Sequence, residues 1–172
     1  MNIVLTGLRG SGKSIVGKIL ADKINYNFID MDEEIEKIEK MKIKEIIELK
    51  GWEYFRARES EIAKKIGKKD QLVIATGGGT IIDRNNEKEL KRNGKIIYLF
   101  RKPEDCAKYI GKDPNRPPLT NKETLEEEMK HLYKQRNSRY CKSALRVLER
   151  TDNAENDANE IIKYCHIYIK NI

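Results

Sequence analysis

A glycine-rich segment near the N-terminus constrains the fold of this chain more than any other feature. It directly follows a short apolar run, Asn2 to Thr6, and reads Gly7-Leu8-Arg9-Gly10-Ser11-Gly12-Lys13-Ser14. This G-x-x-x-x-G-K-[ST] pattern between a strand and a helix is typical of a loop that wraps nucleotide phosphates. Its glycines allow a tight turn whose N–H groups point at phosphate oxygens, and the following helix adds its positive end.

The residue types within this segment predict what it binds. The Lys13 ammonium suits the β and γ phosphates of a nucleotide, and the Ser14 hydroxyl suits a magnesium ion that bridges the same phosphates. We expect the nucleotide contacts to come from Gly10, Ser11, Gly12, Lys13, Ser14 and Ile15. The motif therefore predicts a chain that binds ATP with Mg²⁺ and transfers the terminal phosphoryl group, with Lys13 as a catalytic residue. The motif does not identify the acceptor.

Short apolar runs alternate with segments of helical periodicity along the chain. Runs rich in Ile, Val, Leu and aromatic residues predict strands at Asn2–Thr6, Asn27–Asp30, Leu72–Ala75, Lys95–Phe100 and Leu145–Leu148. Apolar residues at helical spacing predict helices at Lys13–Lys23, Met31–Lys40, Lys44–Lys50, Tyr54–Ile66, Asn86–Arg92, Glu104–Ile110, Lys122–Cys141 and Asn156–Tyr168. This alternation indicates an α/β fold whose parallel sheet is covered on both faces, in one domain over residues 1–172.

Composition and charge argue against several classes of protein. The net charge of +7 comes from Lys residues that are interleaved with Glu, so we expect no nucleic-acid partner. No stretch approaches the roughly 20 apolar residues that a membrane span requires, and we expect no secretory leader, because Met1 to Leu5 carries no basic or long apolar segment. The three cysteines form neither a CxxC pair nor a Cys/His cluster. We therefore expect a soluble protein of the reducing cytoplasm.

Two carboxylates follow the second predicted strand. Asp30 and Asp32 stand where that strand ends, and an open α/β sheet binds its ligands at the carboxyl ends of its strands. One carboxylate is suited to magnesium, through the water shell of the ion, and the other to an acceptor hydroxyl that it would orient and deprotonate. A structural alternative is that Asp30 caps the helix that begins near Met31.

An arginine and a carboxylate share one face of a predicted helix. Arg56 and Glu59 stand at i and i+3, so the carboxylate is placed to steady the guanidinium. An arginine held in this way suits bidentate binding of a carboxylate on the acceptor. A solvated surface pair is the alternative.

Three consecutive glycines, Gly77, Gly78 and Gly79, follow the third predicted strand. Because they lack side chains, their backbone can lie against a small ligand and present N–H groups to it. A tight turn is the alternative, although such a turn needs only one or two glycines.

A proline-rich segment, at about residues 111–121, has no apolar periodicity and contains Arg116. It precedes a long charged helix that Thr124 and Glu127 are placed to cap. We predict that this segment is a lid that carries Arg116 to the phosphates. A surface connection is the alternative.

In their order along the chain, these motifs resemble those of shikimate kinases over nearly the whole sequence. The matching features are Gly7 to Ser14, the Asp30-x-Asp32 pair, Phe55-Arg56-x-x-Glu59, Gly77 to Gly79, Arg116-Pro117, and Arg136 with Tyr140 and Ala144. The resemblance implies a three-layer P-loop kinase fold, like that of adenylate kinase, with five parallel strands in the order 2-3-1-4-5. It also implies a monomer.

The resemblance implies an activity: transfer of phosphate from ATP to the 3-hydroxyl of shikimate, a step toward chorismate and the aromatic amino acids. In shikimate kinases the residues that match Asp32, Arg56, the central Gly78 and Arg136 hold shikimate, in a region that would span about residues 31–60 here.

The resemblance also implies individual roles. The matches to Arg56 and Arg136 clasp the shikimate carboxylate, and the match to Asp32 engages the ring hydroxyls. The match to Arg116 closes over the phosphates as a catalytic and nucleotide-binding residue. Asp30 matches the acidic residue nearest magnesium, and Ser14 matches its direct ligand.

Two departures from the family pattern concern the nucleotide. Where shikimate kinases often have an arginine seven positions before the lid arginine, this chain has Tyr109. The usual Arg-Pro-Leu is lengthened to Arg116-Pro117-Pro118-Leu119. The adenine-contacting loop of the family falls near Thr151 to Ala154, where Arg150 is the candidate arginine.

Two other functions remain open at this stage. Another small-molecule kinase of the same fold, such as a gluconate kinase or a nucleotide kinase, would share the phosphate loop and differ in the acceptor site. Arg56 together with Arg136 favours an acceptor that carries a carboxylate. A nucleotide-dependent protein that binds nucleic acid is the other alternative, and steep salt dependence of binding would distinguish it.

Overall fold

Strands and helices alternate along the chain in the computed structural model, which describes residues 1–111, 119–151 and 153–165. The strands are β1 (Asn2–Thr6), β2 (Asn27–Asp30), β3 (Leu72–Ala75), β4 (Gly94–Phe100) and β5 (Arg146–Glu149). The helices are α1 (Lys13–Ile24), α2 (Met31–Glu39), α3 (Ile43–Ile66), α4 (Arg84–Lys91), α5 (Pro103–Ile110), α6 (Leu125–Ser143) and α7 (Ala154–Cys165). A 3₁₀ turn, Thr80–Ile82, follows β3.

The five strands form one parallel sheet in the order β2-β3-β1-β4-β5, which confirms the predicted order. In this sheet β1 is central: Val4 is paired with Ile74 of β3 and with Ile96 of β4. The order places the loops after β1, β2 and β3 side by side at the carboxyl edge of the sheet. The fold therefore brings the glycine-rich segment, the two aspartates and the triple glycine to one edge.

Successive side chains of the strands point to opposite faces and supply two separate cores. Val4, Ile74 and Tyr98 pack with helices α2 to α6, whereas Ile3 and Leu5 pack with α1 and α7. Ile3, Val4 and Leu5 are fully buried because helices cover both faces of the central strand. The predicted three-layer α/β fold is confirmed.

Several helix boundaries differ from the predictions. Helix α3 is broken at Gly51, whose φ of 81° and ψ of 168° lie outside the helical region, which confirms the break predicted between the helices Lys44–Lys50 and Tyr54–Ile66. The kink shifts the helical register, and for this reason the periodicity of the sequence breaks there. Helix α6 begins at Leu125 because Thr124 Oγ1 accepts a hydrogen bond from the Glu127 N–H at 3.2 Å.

Two predictions fall partly or wholly outside the described residues. The predicted lid is described only at its ends, and Arg116 lies in the part that is not described. Helix α7 is described to Cys165, so the predicted end at Tyr168 also lies outside.

The three cysteines differ in their burial. Cys106 and Cys165 are buried, Cys141 is exposed, and all three are free thiols. Burial raises the pKa of the Cys106 thiol to about 11, which keeps this side chain protonated. None of the helices in the described ranges has the length and apolar character needed to span a bilayer.

Candidate active site

The glycine-rich segment adopts a conformation that requires glycine. Gly10 has a φ of 75° and Gly12 a φ of 88°, in the left-handed region that side chains disfavour. Space is also limiting, because a Cβ at Gly12 would lie 1.8 Å from Arg150 Nη1. Arg150 donates hydrogen bonds from Nη1 to the Ser11 carbonyl (2.7 Å) and from Nε to Asp157 (2.5 Å). The buried Arg150 side chain therefore supports the loop through its hydrogen bond to Ser11, and Asp157 holds the arginine in place.

Lys13 opens α1 and turns back over the loop. Its Nζ donates hydrogen bonds to the carbonyl oxygens of Gly7 at 3.1 Å and Leu8 at 2.8 Å, and only 8% of the residue is exposed. The ammonium is thus fixed within the glycine-rich segment, and its contact with nucleotide phosphates stays a prediction.

Asp30 has two roles, one for each carboxylate oxygen. Oδ1 accepts hydrogen bonds from the N–H groups of Asp32 (3.0 Å) and Glu33 (3.5 Å), so the capping alternative is correct. Oδ2 accepts a hydrogen bond from the Ser14 hydroxyl at 2.5 Å. The hydrogen bonds of the cap therefore orient the Asp30 carboxylate so that Oδ2 lies beside the Ser14 hydroxyl. The two residues predicted as magnesium ligands are thus in contact.

A cavity of about 220 Å³ opens beside this pair. Its walls come from the phosphate loop, from α2 and α3, from the triple glycine and from α6. Among the residues that line it are Arg9, Ser14, Asp30, Asp32, Trp52, Phe55, Arg56, Glu59, Gly77, Gly78, Gly79, Leu119 and Arg136. Its size suits a small molecule, and its lining combines carboxylates with three guanidinium groups.

Arg56 is fixed by a buried carboxylate, so the solvated-pair alternative is wrong. Arg56 Nη1 donates to Glu59 Oε2 at 2.6 Å, and the Glu59 side chain is only 1% exposed. Glu59 Oε1 in turn accepts from the Thr80 hydroxyl at 2.5 Å. The Arg56 guanidinium also lies 5.4 Å from the ring of Trp52 and 5.3 Å from that of Phe55. These contacts leave it oriented, with 39% of its side chain exposed toward the cavity.

Arg136 and Tyr140 of α6 both hold the backbone of the triple glycine. Arg136 Nη1 donates to the Gly78 carbonyl at 3.1 Å, and the Tyr140 hydroxyl donates to the same oxygen. Burial raises the pKa of Tyr140 to about 12, so the hydroxyl keeps its proton at neutral pH. Arg136 of α6 and Arg56 of α3 line the same cavity from different helices.

Crowding, and not backbone angles, restricts Gly77 and Gly79, whereas the nearest atoms to a Cβ at Gly78 would lie at 3.5 Å, an ordinary contact distance. None of Gly77, Gly78 and Gly79 has a positive φ, although the Thr80 N–H donates to the Gly77 carbonyl at 3.2 Å in a turn. A Cβ at Gly77 would lie 2.7 Å from Glu59 Oε1 and 2.9 Å from Asp32 Oδ1. The side chains of the site thus pack directly on the glycine backbone, and close approach of a ligand stays a prediction.

Gly79→Ala tests whether acceptor binding depends on the position of Arg56. A Cβ at Gly79 would lie 2.6 Å from Arg56 Nη1, the end of a flexible side chain that can move aside. We expect KM for the acceptor to rise by ~10-fold, since the guanidinium is displaced, and the Tm to fall, since the ion pair of Arg56 with the buried Glu59 is weakened. Steady-state kinetics and thermal melting measure the two effects. An unchanged KM would mean that the position of Arg56 does not matter for the acceptor.

A second groove, of about 580 Å³, lies on the α5 side of the phosphate loop. Tyr109 is 52% exposed there, and the Arg101 guanidinium lies 4.4 Å from the centroid of its ring. Arg150 also reaches this groove, but its guanidinium is occupied by Ser11 and Asp157. The planar groups of Tyr109 and Arg101 therefore lie together in this groove, a pairing that the sequence did not predict.

The structure brings together most of the predicted site residues. Ser14, Asp30, Asp32, Arg56, Gly77, Gly78, Gly79 and Arg136 line the cavity. Lys13 lies in the adjoining phosphate loop with Gly10, Ser11 and Gly12, and Ile15 is 59% exposed on α1. Arg9, Trp52, Phe55 and Leu119 line the cavity and were missed. Arg9 occupies a position that the loop motif leaves unrestricted, whereas the spacing of Trp52 four residues before Arg56 was an available signal.

Comparison with known proteins agrees with this geometry. The family model described as "Shikimate kinase" matches residues 9–166. The chain is 39% identical over 171 residues to the shikimate kinase of Caldanaerobacter subterraneus, covering 98% of this chain and 96% of that protein. It is 52% identical over 102 residues to the shikimate kinase of Alkaliphilus oremlandii, covering 59% of this chain and 60% of that protein.

A solved structure, the shikimate kinase from Acinetobacter baumannii in complex with shikimate, superposes with a TM-score of 0.91 at 34% identity. The match covers 96% of this chain and 92% of the other. The family match, the relatives and this structure agree over most of the length of the sequence. The chain therefore belongs to the shikimate kinase family.

Proposed function

We propose that this chain transfers the γ-phosphoryl group of ATP to the 3-hydroxyl of shikimate, giving shikimate 3-phosphate and ADP. The observation that carries the proposal is one cavity that is lined by Arg56, Arg136 and Asp32 together with Ser14 of the phosphate loop. Two arginines can clasp a carboxylate while an aspartate engages a hydroxyl of the same small ring. The membership in the shikimate kinase family supports shikimate as the acceptor.

We assign a separate role in the reaction to each of these residues. Arg56, fixed by Glu59, and Arg136 would bind the acceptor carboxylate and set the orientation of the ring. Asp32 would then orient the 3-hydroxyl and take its proton as the bond to phosphorus forms. Lys13 and the N–H groups of the loop would stabilise the charge on the phosphoryl oxygens. Most of the rate would come from positioning and electrostatics, as phosphoryl transfer requires.

The residues present fit a magnesium ion. The Ser14 hydroxyl and Asp30 Oδ2 are hard oxygen ligands at 2.5 Å from each other. No cluster of three or more His, Cys, Asp or Glu side chains that could hold a metal exists in the described ranges, and Mg²⁺ in kinases commonly takes its other ligands from phosphates and water. We propose that Ser14 binds the ion directly and Asp30 through water. The bound ion would neutralise charge on the β and γ phosphates.

A nucleotide kinase fits this cavity less well. Trp52 and Phe55 are the aromatic residues of the wall among the described residues, and both lie against the Arg56 guanidinium, which leaves their rings less available to a base. The cationic lining instead matches a small anionic acceptor. The family match decides between shikimate and other anionic acceptors.

The remaining parts of the proposal concern the setting. We propose that the chain forms a single kinase domain, that it works as a monomer in the cytoplasm, and that Arg116 closes over the phosphates. Three free thiols support a reducing compartment. Analytical ultracentrifugation of the purified protein would test the monomer directly.

A coupled assay of ADP release tests the proposed activity. With Mg²⁺ and ATP, we expect saturable stimulation by shikimate, and at most background release with gluconate, with AMP or without an acceptor. Stimulation by gluconate or AMP instead would retain the kinase and reject shikimate as the acceptor. A lack of stimulation by all three would reject the kinase assignment.

A further inference from the structure

Glu128 is a buried carboxylate that the proposed chemistry does not use. It lies in the first turn of α6, and its residue is only 3% exposed, whereas its neighbours Glu126 and Glu127 face solvent. A carboxylate is removed from water only at considerable cost unless other groups compensate its charge. The partners of Glu128 therefore indicate why it is turned inward.

One oxygen of Glu128 binds the backbone just before α6. Oε2 accepts hydrogen bonds from the N–H of Leu119 at 2.8 Å and from the N–H of Thr120 at 3.0 Å, with a weaker contact to the Thr120 hydroxyl at 3.4 Å. Leu119 lines the acceptor cavity and packs on the core beneath it. This oxygen thus fixes one wall of the cavity to α6, the helix that also carries Arg136.

The other oxygen of Glu128 faces the phosphate loop. Oε1 lies 3.7 Å from Arg9 Nη2, which makes an ion pair between a side chain that is 3% exposed and one that is 11% exposed. Arg9 lines the same cavity, and a Cβ at Gly78 would lie 3.5 Å from the backbone N of Arg9. This oxygen is therefore the ion-pair partner of Arg9, the cation that the phosphate loop contributes to the cavity wall.

We propose that Glu128 is a positioning residue for the acceptor, because its ion pair with Arg9 and its hydrogen bonds to Leu119 and Thr120 fix two walls of the acceptor cavity relative to Arg136. This inference rests on the proposed function. It adds a residue that touches neither substrate and acts through Arg9 and Leu119. Small displacements of positioning groups can lower catalytic efficiency by about 10- to 100-fold without altering the chemical groups themselves.

The substitutions separate the charge from the hydrogen bonds. Glu128→Gln keeps an oxygen for the Leu119 and Thr120 N–H groups but removes the charge opposite Arg9, and we expect KM for shikimate to rise by about 10-fold with KM for ATP nearly unchanged. Arg9→Met should have a similar effect. Because both changes break one ion pair, the double variant should raise KM by about 10-fold and not by about 100-fold. Glu127→Gln, on the same turn but exposed, is the matched control and should leave all constants unchanged.

The measurements distinguish positioning from a role in folding alone. Steady-state kinetics give both KM values, and thermal melting gives Tm. Trp52 is the one tryptophan in the chain and is part of the cavity wall, so its fluorescence gives the affinity for shikimate. A lower Tm with unchanged KM and affinity for shikimate in both single variants would overturn the inference. So would independent effects that multiply in the double variant.

Two further comparisons keep the test decisive. If Glu128→Gln does not fold, Arg9→Lys, which keeps the charge, is compared with Arg9→Met; equal KM values for shikimate in these two variants would overturn the inference. If the wild-type chain itself shows no response to shikimate, the proposed function fails. A failure of the Glu128 inference appears instead as variants that equal a shikimate-responsive wild type.

Discussion

Replacing Asp32 with asparagine is expected to lower kcat for shikimate phosphorylation by ~10²- to 10⁴-fold, the usual contribution of a positioned general base. Asp32 lines the acceptor cavity close to Gly77, where a Cβ would lie 2.9 Å from Asp32 Oδ1. The amide has nearly the same shape and can still accept a hydrogen bond from the acceptor hydroxyl, but it cannot take the proton. KM for shikimate should therefore change much less than kcat.

Asp32→Ala separates proton transfer from orientation. If Asp32 is the base, the asparagine and alanine variants should have similarly low kcat values, whereas an asparagine variant within ~3-fold of the wild type would mean that Asp32 only orients the hydroxyl. Folding should be retained in both variants, because the N-terminus of α2 is capped by Asp30 and not by Asp32. Asp22→Asn, an exposed aspartate on α1, is the matched control.

The sequence predicted the bounds of strands well where a local run of apolar residues coincides with the strand in the fold. The bounds of β1, β2 and β3 match the predictions because each is a short apolar run that is closed by glycine or polar residues. The strand order was available only through the resemblance to shikimate kinases. Periodicity within one strand carries no information about its neighbours.

The site was predictable where a residue type and a short spacing together define the chemistry. Arg56 and Glu59 are one helical turn apart, and Asp30 and Asp32 follow one strand, so their neighbourhood is visible in the sequence. The convergence of Arg56 with Arg136 was implied by the resemblance, since these residues lie on separate helices, α3 and α6.

Long-range contacts account for what was missed. Arg150 supports Ser11 across 139 positions of sequence, and Arg9 meets Glu128 across the cavity wall. For Arg9 and Glu128 the residue type alone suggests a solvated charge. For Arg150, the candidate adenine-contacting arginine, the hydrogen bond to the Ser11 carbonyl was not predicted. The kink at Gly51, by contrast, lies where the sequence predicted a break between two helices.

Lys13→Met is the other substitution with a large expected effect, a loss of kcat/KM for ATP of roughly 10³-fold. Methionine keeps the length and the apolar stem of the lysine but removes the only charge that this position supplies to the phosphates. The hydrogen bonds from Nζ to the carbonyls of Gly7 and Leu8 are also lost. These carbonyls belong to the phosphate loop itself, so a modest decrease in Tm is expected together with the kinetic loss.

Lys18→Met provides the matched control for Lys13→Met, because it makes the same chemical change on the same helix. The Lys18 side chain is 58% exposed, and its ion pair with Glu33 spans 3.8 Å at the surface, where such pairs contribute little. Initial rates over a range of ATP concentrations at saturating shikimate, with Tm for each variant, complete the comparison. If the two variants had similar kcat/KM, the positive charge of Lys13 would not act on the transferred phosphoryl group. Catalysis would then depend on the N–H groups of the loop and on the other cations of the site.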